Sequence, residues 1–275
     1  MVKLHASMER VPEAVAEDAK SGDISAVRTW LNTVKDDVNR YVINDPSNLP
    51  GQEDYPLLIW TVACGITTPE KVELARELLA RGAEVDKTDY VDRTALHWAC
   101  RGVGDASPAL VSLLLSAGAD VHARTKHTRT IPIAYTVDTW SLSAQMRYLS
   151  RLSTETLLVI FERLLRAGSE LDNISEWPND SLGSISASSE SAFEALATDA
   201  SFQEIKSITA NVLAAGSYGA YLHEQRKQVL SLRSLANRGR AATADPVMKF
   251  LCELGDNGVL WNVLSHWPPP RRSTA

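Results

Sequence analysis

Several things are missing from this chain of 275 residues, and each absence narrows what it can be. No apolar run approaches the roughly 18 residues that a membrane-crossing helix needs, so no partner membrane is expected. The first residues, Met1-Val2-Lys3-Leu4-His5-Ala6, lack the apolar stretch of a secretory signal, which favours a cytoplasmic or nuclear location. Cysteine is scarce and odd in number: Cys64, Cys100 and Cys252 fit no zinc module and no Cys-x-x-Cys pair, so buried free thiols are expected. Basic residues are outnumbered, giving a formal net charge of -6, and global attraction to nucleic acid or to an acidic membrane is not expected. There is no phosphate-cradling glycine loop, no His-Glu-x-x-His and no Gly-x-Ser-x-Gly. No catalytic residue, cofactor or metal is therefore expected.

What the chain does contain is a phrase that recurs. Residues 78–86 read Leu-Leu-Ala-Arg-Gly-Ala-Glu-Val-Asp, and residues 114–122 read Leu-Leu-Ser-Ala-Gly-Ala-Asp-Val-His. Between them lies Asp89-Tyr90-Val91-Asp92-Arg93-Thr94-Ala95-Leu96-His97-Trp98-Ala99-Cys100. The phrase returns in weaker form at Leu164-Leu165-Arg166-Ala167-Gly168 and Val212-Leu213-Ala214-Ala215-Gly216. Each Gly suits a helix C-terminus, where the chain turns left-handed and a Cβ would be strained. Helix starts carry a second marker. Thr68-Pro69, Ser107-Pro108 and Asp245-Pro246 each set a capping oxygen before a Pro at the first helical position, and Ser201-Phe202-Gln203-Glu204 reads as a capping box.

The stretch Gly82, Ala83, Val85, Asp89, Thr94, Leu96, His97, Ala99 resembles the ankyrin repeat, a β-turn followed by two helices. The departures are Asp86 for the usual Asn, Asp92 for Gly and Ala95 for Pro. The resemblance implies an all-α solenoid of about six helix-turn-helix units with β-turn tips, covering residues 1–267 as one domain. The units are expected near 10–45, 53–86, 87–122, 123–172, 173–217 and 226–267, and the later ones are stretched beyond the usual 33 or so residues. Residues 45–51 read as a long loop. The Ser-rich 181–191 reads as a loose helix or a mobile loop, and 268–275 as a disordered Pro-rich tail.

The resemblance also implies a binding surface made of turn tips and the inner face of the first helices. Carried over residue by residue, one exposed tip is Tyr90, Val91 and Arg93, and the next is Lys126, His127 and Arg129, with Arg101 on the helix side. The second tip gathers Arg124, Lys126 and Arg129 beside His122 and His127, a reversal of sign in an acidic chain. It reads either as a dock for an acidic protein segment or as a solvated turn offsetting the acidic tip before it. Trp60, Trp98 and Trp140 fall near successive first helices and read either as a concave aromatic strip or as inter-repeat core. Core is favoured for Trp60, and Trp98 is a candidate contact. His97 reads as a structural hydrogen-bonding residue.

Three functions follow as expectations. The first is a monomeric, non-catalytic module that holds a protein partner on its concave face. The second is an adaptor recruiting a ubiquitin ligase or another enzyme through the helical segment 259–267. The third, an enzyme, lacks any candidate set of paired titratable groups.

Overall fold

A computed structural model describes residues 11–33, 38–39, 41–43, 54–101, 103–136, 154–171, 198–240, 244, 246–253 and 260. The loop 45–51, Trp140, the Ser-rich 181–191 and the tail 268–275 lie outside these residues, as does most of the expected fifth unit. The chain divides into two compact units, residues 1–207 and 208–275, and the boundary falls within a helix.

The first unit is built from pairs of short helices. These are α1 (Glu13–Ser21) with α2 (Ile24–Thr33), α3 (Leu57–Ala63) with α4 (Pro69–Ala80), and α5 (Ala95–Ala99) with α6 (Ser107–Ser116). A fourth pair joins a 3-10 turn (Pro132–Thr136) to α7 (Thr154–Arg166). First helices pack on first helices: α1 on α3, α3 on α5, and α5 on the 3-10 turn. Second helices do the same, α2 on α4, α4 on α6 and α6 on α7. No pair can bury its own apolar face, so each relies on its neighbours. The seam between the two rows holds Leu57, Leu74, Leu78, Leu96, Leu110, Leu114, Ile133, Leu157 and Phe161, all under 2% exposed.

Ends of the second helices follow the sequence reading. Gly82, Gly118 and Gly168 sit at φ +92, +87 and +94, and the following residue (Ala83, Ala119, Ser169) donates its N–H back to Leu78, Leu114 or Leu164. This closes the last turn and satisfies carbonyls that would otherwise be orphaned. Helix starts follow it less evenly. Thr68 caps α4 as expected, its hydroxyl accepting from Lys71 N–H. Ser107 does not cap α6: it is the first helical residue, its hydroxyl is buried without a protein partner, and Pro108 stands second. Ser201 does not cap its helix either. Asp199 takes that place, accepting from the N–H groups of Ser201 and Phe202.

With α6 beginning at Ser107, two tryptophans stand in the same register. Trp60 and Trp98 are each the fourth residue of their helix, nine residues before the next helix begins. Trp60 is 4% exposed and its indole N–H donates to the Ala16 carbonyl at 2.7 Å, which makes it core.

Two features lie outside the repeat pattern. Tyr41–Ile43 and Asp54–Pro56 pair as antiparallel strands β1 and β2, with Val42 opposite Tyr55, so an all-α description omits a small ribbon. The second feature is α9. Helix α8 (Ala200–Ala215) ends at Gly216, and Ser217 then caps the 20-residue α9 (Tyr218–Asn237) by accepting from Ala220 N–H. The expected start of unit six near 226 falls inside α9. Within the second unit α9 packs on α10 (Pro246–Glu253) around Val229, Leu251 and Leu260.

Candidate functional site

Two tips connect the central pairs, and they share one backbone plan. In the first, Asp89 N–H donates to the Arg93 carbonyl at 2.9 Å. In the second, Thr125 N–H donates to the Thr130 carbonyl at 3.1 Å, one residue further on. Each tip places a non-glycine residue in the left-handed region, Asp92 at φ 62 and Arg129 at φ 55. Each also closes through a side chain, because Asp89 Oδ1 accepts from the N–H of Val91 and of Arg93, while Thr125 Oγ1 accepts from Thr130 N–H. A backbone bond from Lys126 N–H to the Val91 carbonyl, 2.9 Å, ties the tips together.

Their chemistry differs. The Asp89 side chain is fully buried, and a carboxylate out of water needs a cation nearby. Arg93 supplies one, its Nε donating to Oδ2 at 2.7 Å, and the indole N–H of Trp98 donates to the same oxygen at 3.1 Å. The Arg93 guanidinium lies 4.2 Å from the Trp98 ring centroid, and Arg101 lies 5.0 Å from that ring. Such stacking favours a planar, weakly hydrated cation. Arg93 is thus not the exposed tip residue that the sequence suggests; its side chain is only 13% exposed, because the buried carboxylate four residues back draws it inward. Val91, Trp98 and Arg101 are half-buried, and Tyr90 is the exposed member of that tip at 42%.

Tyr55 carries no repeat signature in the sequence, yet it sits at the centre of this cluster. Its ring stands 6.0 Å from Trp60, 6.2 Å from Tyr90 and 6.0 Å from Trp98. The signal was weak: the residue lies just before α3, on a strand that the repeat pattern does not foresee.

The second tip carries hydroxyls where the first carries charge. Thr125 is buried, and its hydroxyl lies 2.9 Å from that of Thr128. The Thr130 hydroxyl donates to Thr128 Oγ1 at 2.6 Å. Among the described residues no ion pair turns these basic side chains inward, and Lys126, His127, Thr128 and Arg129 are all exposed. Arg124 donates to the Arg129 carbonyl at 3.3 Å.

His97 joins the tips from below. Its Nδ1 accepts from Thr94 N–H at 3.1 Å, which leaves the proton on Nε2, 3.1 Å from the Thr130 carbonyl. It therefore bonds both within its own pair and to the next, and it stacks edge-on with Tyr135 at 5.4 Å. Burial holds the imidazole down at about 4, only partly opposed by the Thr130 carbonyl.

Elsewhere, an open cleft of about 370 Å³ lies beside α1 and the α3–α4 loop, lined by Glu17, Lys20, Cys64 and Lys71 among others. The buried Lys71 ammonium donates to the Cys64 carbonyl at the end of α3. Burial lowers the Lys71 pKa and pushes the Cys64 thiol up to about 11; the Cys100 thiol is also raised by burial. Such thiols are not thiolates near neutral pH. Among the described residues no group of three or more His, Cys, Asp or Glu could hold a metal ion, and no helix is long and apolar enough to cross a membrane. Residues 259–267, on which the adaptor expectation rests, lie outside the described residues apart from Leu260.

Stacked helix pairs joined by tips of one backbone plan define a repeat protein. Residues 92–126 match the family model of the ankyrin repeat, spanning the end of the first tip, α5, α6 and the start of the second tip. A comparison with curated proteins found no match. Ankyrin repeats generally mediate protein–protein interaction and are typically non-catalytic.

Proposed function

We propose that this protein is a non-catalytic interaction module and that its partner docks on the tips, with an acidic segment against residues 124–129. One observation carries the reading: Lys126, His127 and Arg129 stand exposed on a turn whose backbone is pinned at Val91, Thr125 and Thr130. A pinned turn presents charge without first losing the entropy of an ordering loop. Tyr90 sits on the adjoining tip and adds an exposed aromatic contact. Trp98 and Arg101, half-buried, complete the face from the helix side, whereas Arg93 acts by holding Asp89 and Val91 supplies backbone.

The test substitutes Tyr90, Lys126 and Arg129 together by Ala and leaves Arg93 in place, since removing it would strand the Asp89 carboxylate. Binding of a poly-glutamate peptide, followed by fluorescence anisotropy at low salt, should weaken roughly tenfold or more. Unchanged affinity with intact helicity would reject the tip as the docking point.

A further inference from the structure

The hydroxyls of the second tip have no part in docking an acidic segment, and their arrangement is uneven. Thr125 is 4% exposed, and its oxygen already accepts from Thr130 N–H. Thr130 is half-buried, and its hydroxyl is spent on Thr128. Thr128 alone of the three is exposed, at the apex of the turn. Its oxygen has one hydroxyl at 2.9 Å and another at 2.6 Å, both from within the turn. Lys126 stands two residues before it and Arg129 one after, both exposed, with Arg124 four before.

We propose that Thr128 is a phosphorylation site for a serine/threonine kinase that reads basic flanking residues, and that the modification switches the tip off as an acidic-segment dock. The switch rests on the docking reading above; the site itself does not. In the reaction the Thr128 Oγ1 bonds the γ-phosphorus of MgATP, the bond from that phosphorus to the β,γ-bridging oxygen breaks, and ADP leaves. The hydroxyl proton passes to the kinase's catalytic base, and nothing is oxidised or reduced. The basic side chains complement an acidic kinase groove before the reaction. Afterwards they face a group of charge about −1.5 to −2 with strong acceptor oxygens. The Thr125 and Thr130 hydroxyls already lie 2.9 and 2.6 Å from Thr128 Oγ1, the oxygen that would carry the phosphate. A phosphate so placed neutralises about two of the three cations in residues 124–129 and repels carboxylates that would otherwise dock there.

The experiment incubates the full chain with MgATP and a purified basophilic serine/threonine kinase, then maps the modified residue by fragment mass spectrometry. Thr128 should carry phosphate. A Thr128→Val chain should not, and a Lys126→Ala/Arg129→Ala chain, which keeps the hydroxyl, should be labelled roughly tenfold more slowly. Label confined to other hydroxyls, or Thr128 labelled only after denaturation, would overturn the site. The second arm measures poly-glutamate peptide binding before and after modification. Affinity falling about tenfold on phosphorylation supports the switch, and equal affinity overturns it. If neither form binds the peptide, the docking reading fails and the switch fails with it, while a labelled Thr128 upholds the site.

Discussion

The tips at 89–93 and 125–130 share a fold and reach it by opposite means. Both close a short turn with a side-chain oxygen that accepts a backbone N–H, and both place one residue left-handed. The first uses a carboxylate, which accepts more bonds but must be neutralised once buried, so Arg93 and Trp98 are recruited inward. The second uses a hydroxyl, which requires no counter-charge, and its Lys126 and Arg129 remain outside. The choice of oxygen at one position decides whether a tip turns its charge towards the core or presents it to a partner.

Breaking the first tip should have the largest effect. Asp89→Ala leaves the Arg93 guanidinium, the Trp98 indole N–H and two backbone donors without their acceptor, and should destabilise the protein by about 3–5 kcal/mol in urea titration. Lowering the pH tests the joint between the tips. Above 6.5 His97 is neutral in both the folded and the unfolded chain. Below it the unfolded chain binds a proton that the folded one refuses until about 4, so stability falls across that window, by about 3 kcal/mol at most. Carboxylates with lowered pKa values, such as Glu77 beside Arg28 and Arg81, act further down, below about 4.5. A His97→Gln chain should flatten the upper window alone, which equilibrium unfolding at several pH values would reveal.

The second tip should be cheaper to break. Thr125→Val keeps the shape but orphans Thr130 N–H, and about 1–2 kcal/mol of lost stability is expected by thermal unfolding. If the loss matched that of Asp89→Ala, the contrast between charged and uncharged closure would be wrong. Smallest of all is Asp92→Gly, which relieves a left-handed residue and should stabilise by about 0.5–1 kcal/mol in the same assay.

Much of this was legible in the sequence where the backbone itself forces a residue type. Gly82, Gly118 and Gly168 announce left-handed helix ends because few other residues sit there without strain. Thr68-Pro69 announces a helix start for a similar reason. Legibility fails where the outcome depends on a choice between neighbours. Ser107 and Ala106 both precede Pro108, Asp199 and Ser201 both offer a cap, and only packing selects between them. Arg93 looked like a surface cation because nothing local says that Asp89 is buried. Helix α9 was hidden by reliance on repeat spacing, although after Gly219 its residues are uninterrupted by Gly or Pro and rich in Leu, Ala, Gln, Lys and Arg. At the site, the basic tip was visible as composition, whereas Tyr55 became visible only once the strand before α3 carried it to Tyr90 and Trp98.

Gly104 has a consequence that reaches past its own loop. A Cβ there would lie 2.5 Å from the Thr67 carbonyl oxygen, and Thr67 N–H already donates to the Val103 carbonyl at 2.8 Å. The two inter-helix loops therefore meet at the closest approach that a bare backbone permits, with no room between them for a side chain at position 104. In a stack where each pair packs only on its neighbours, a wedge one methyl wide between these loops is expected to be felt where α3 meets α5 and α4 meets α6, and so at the basic turn that follows α6.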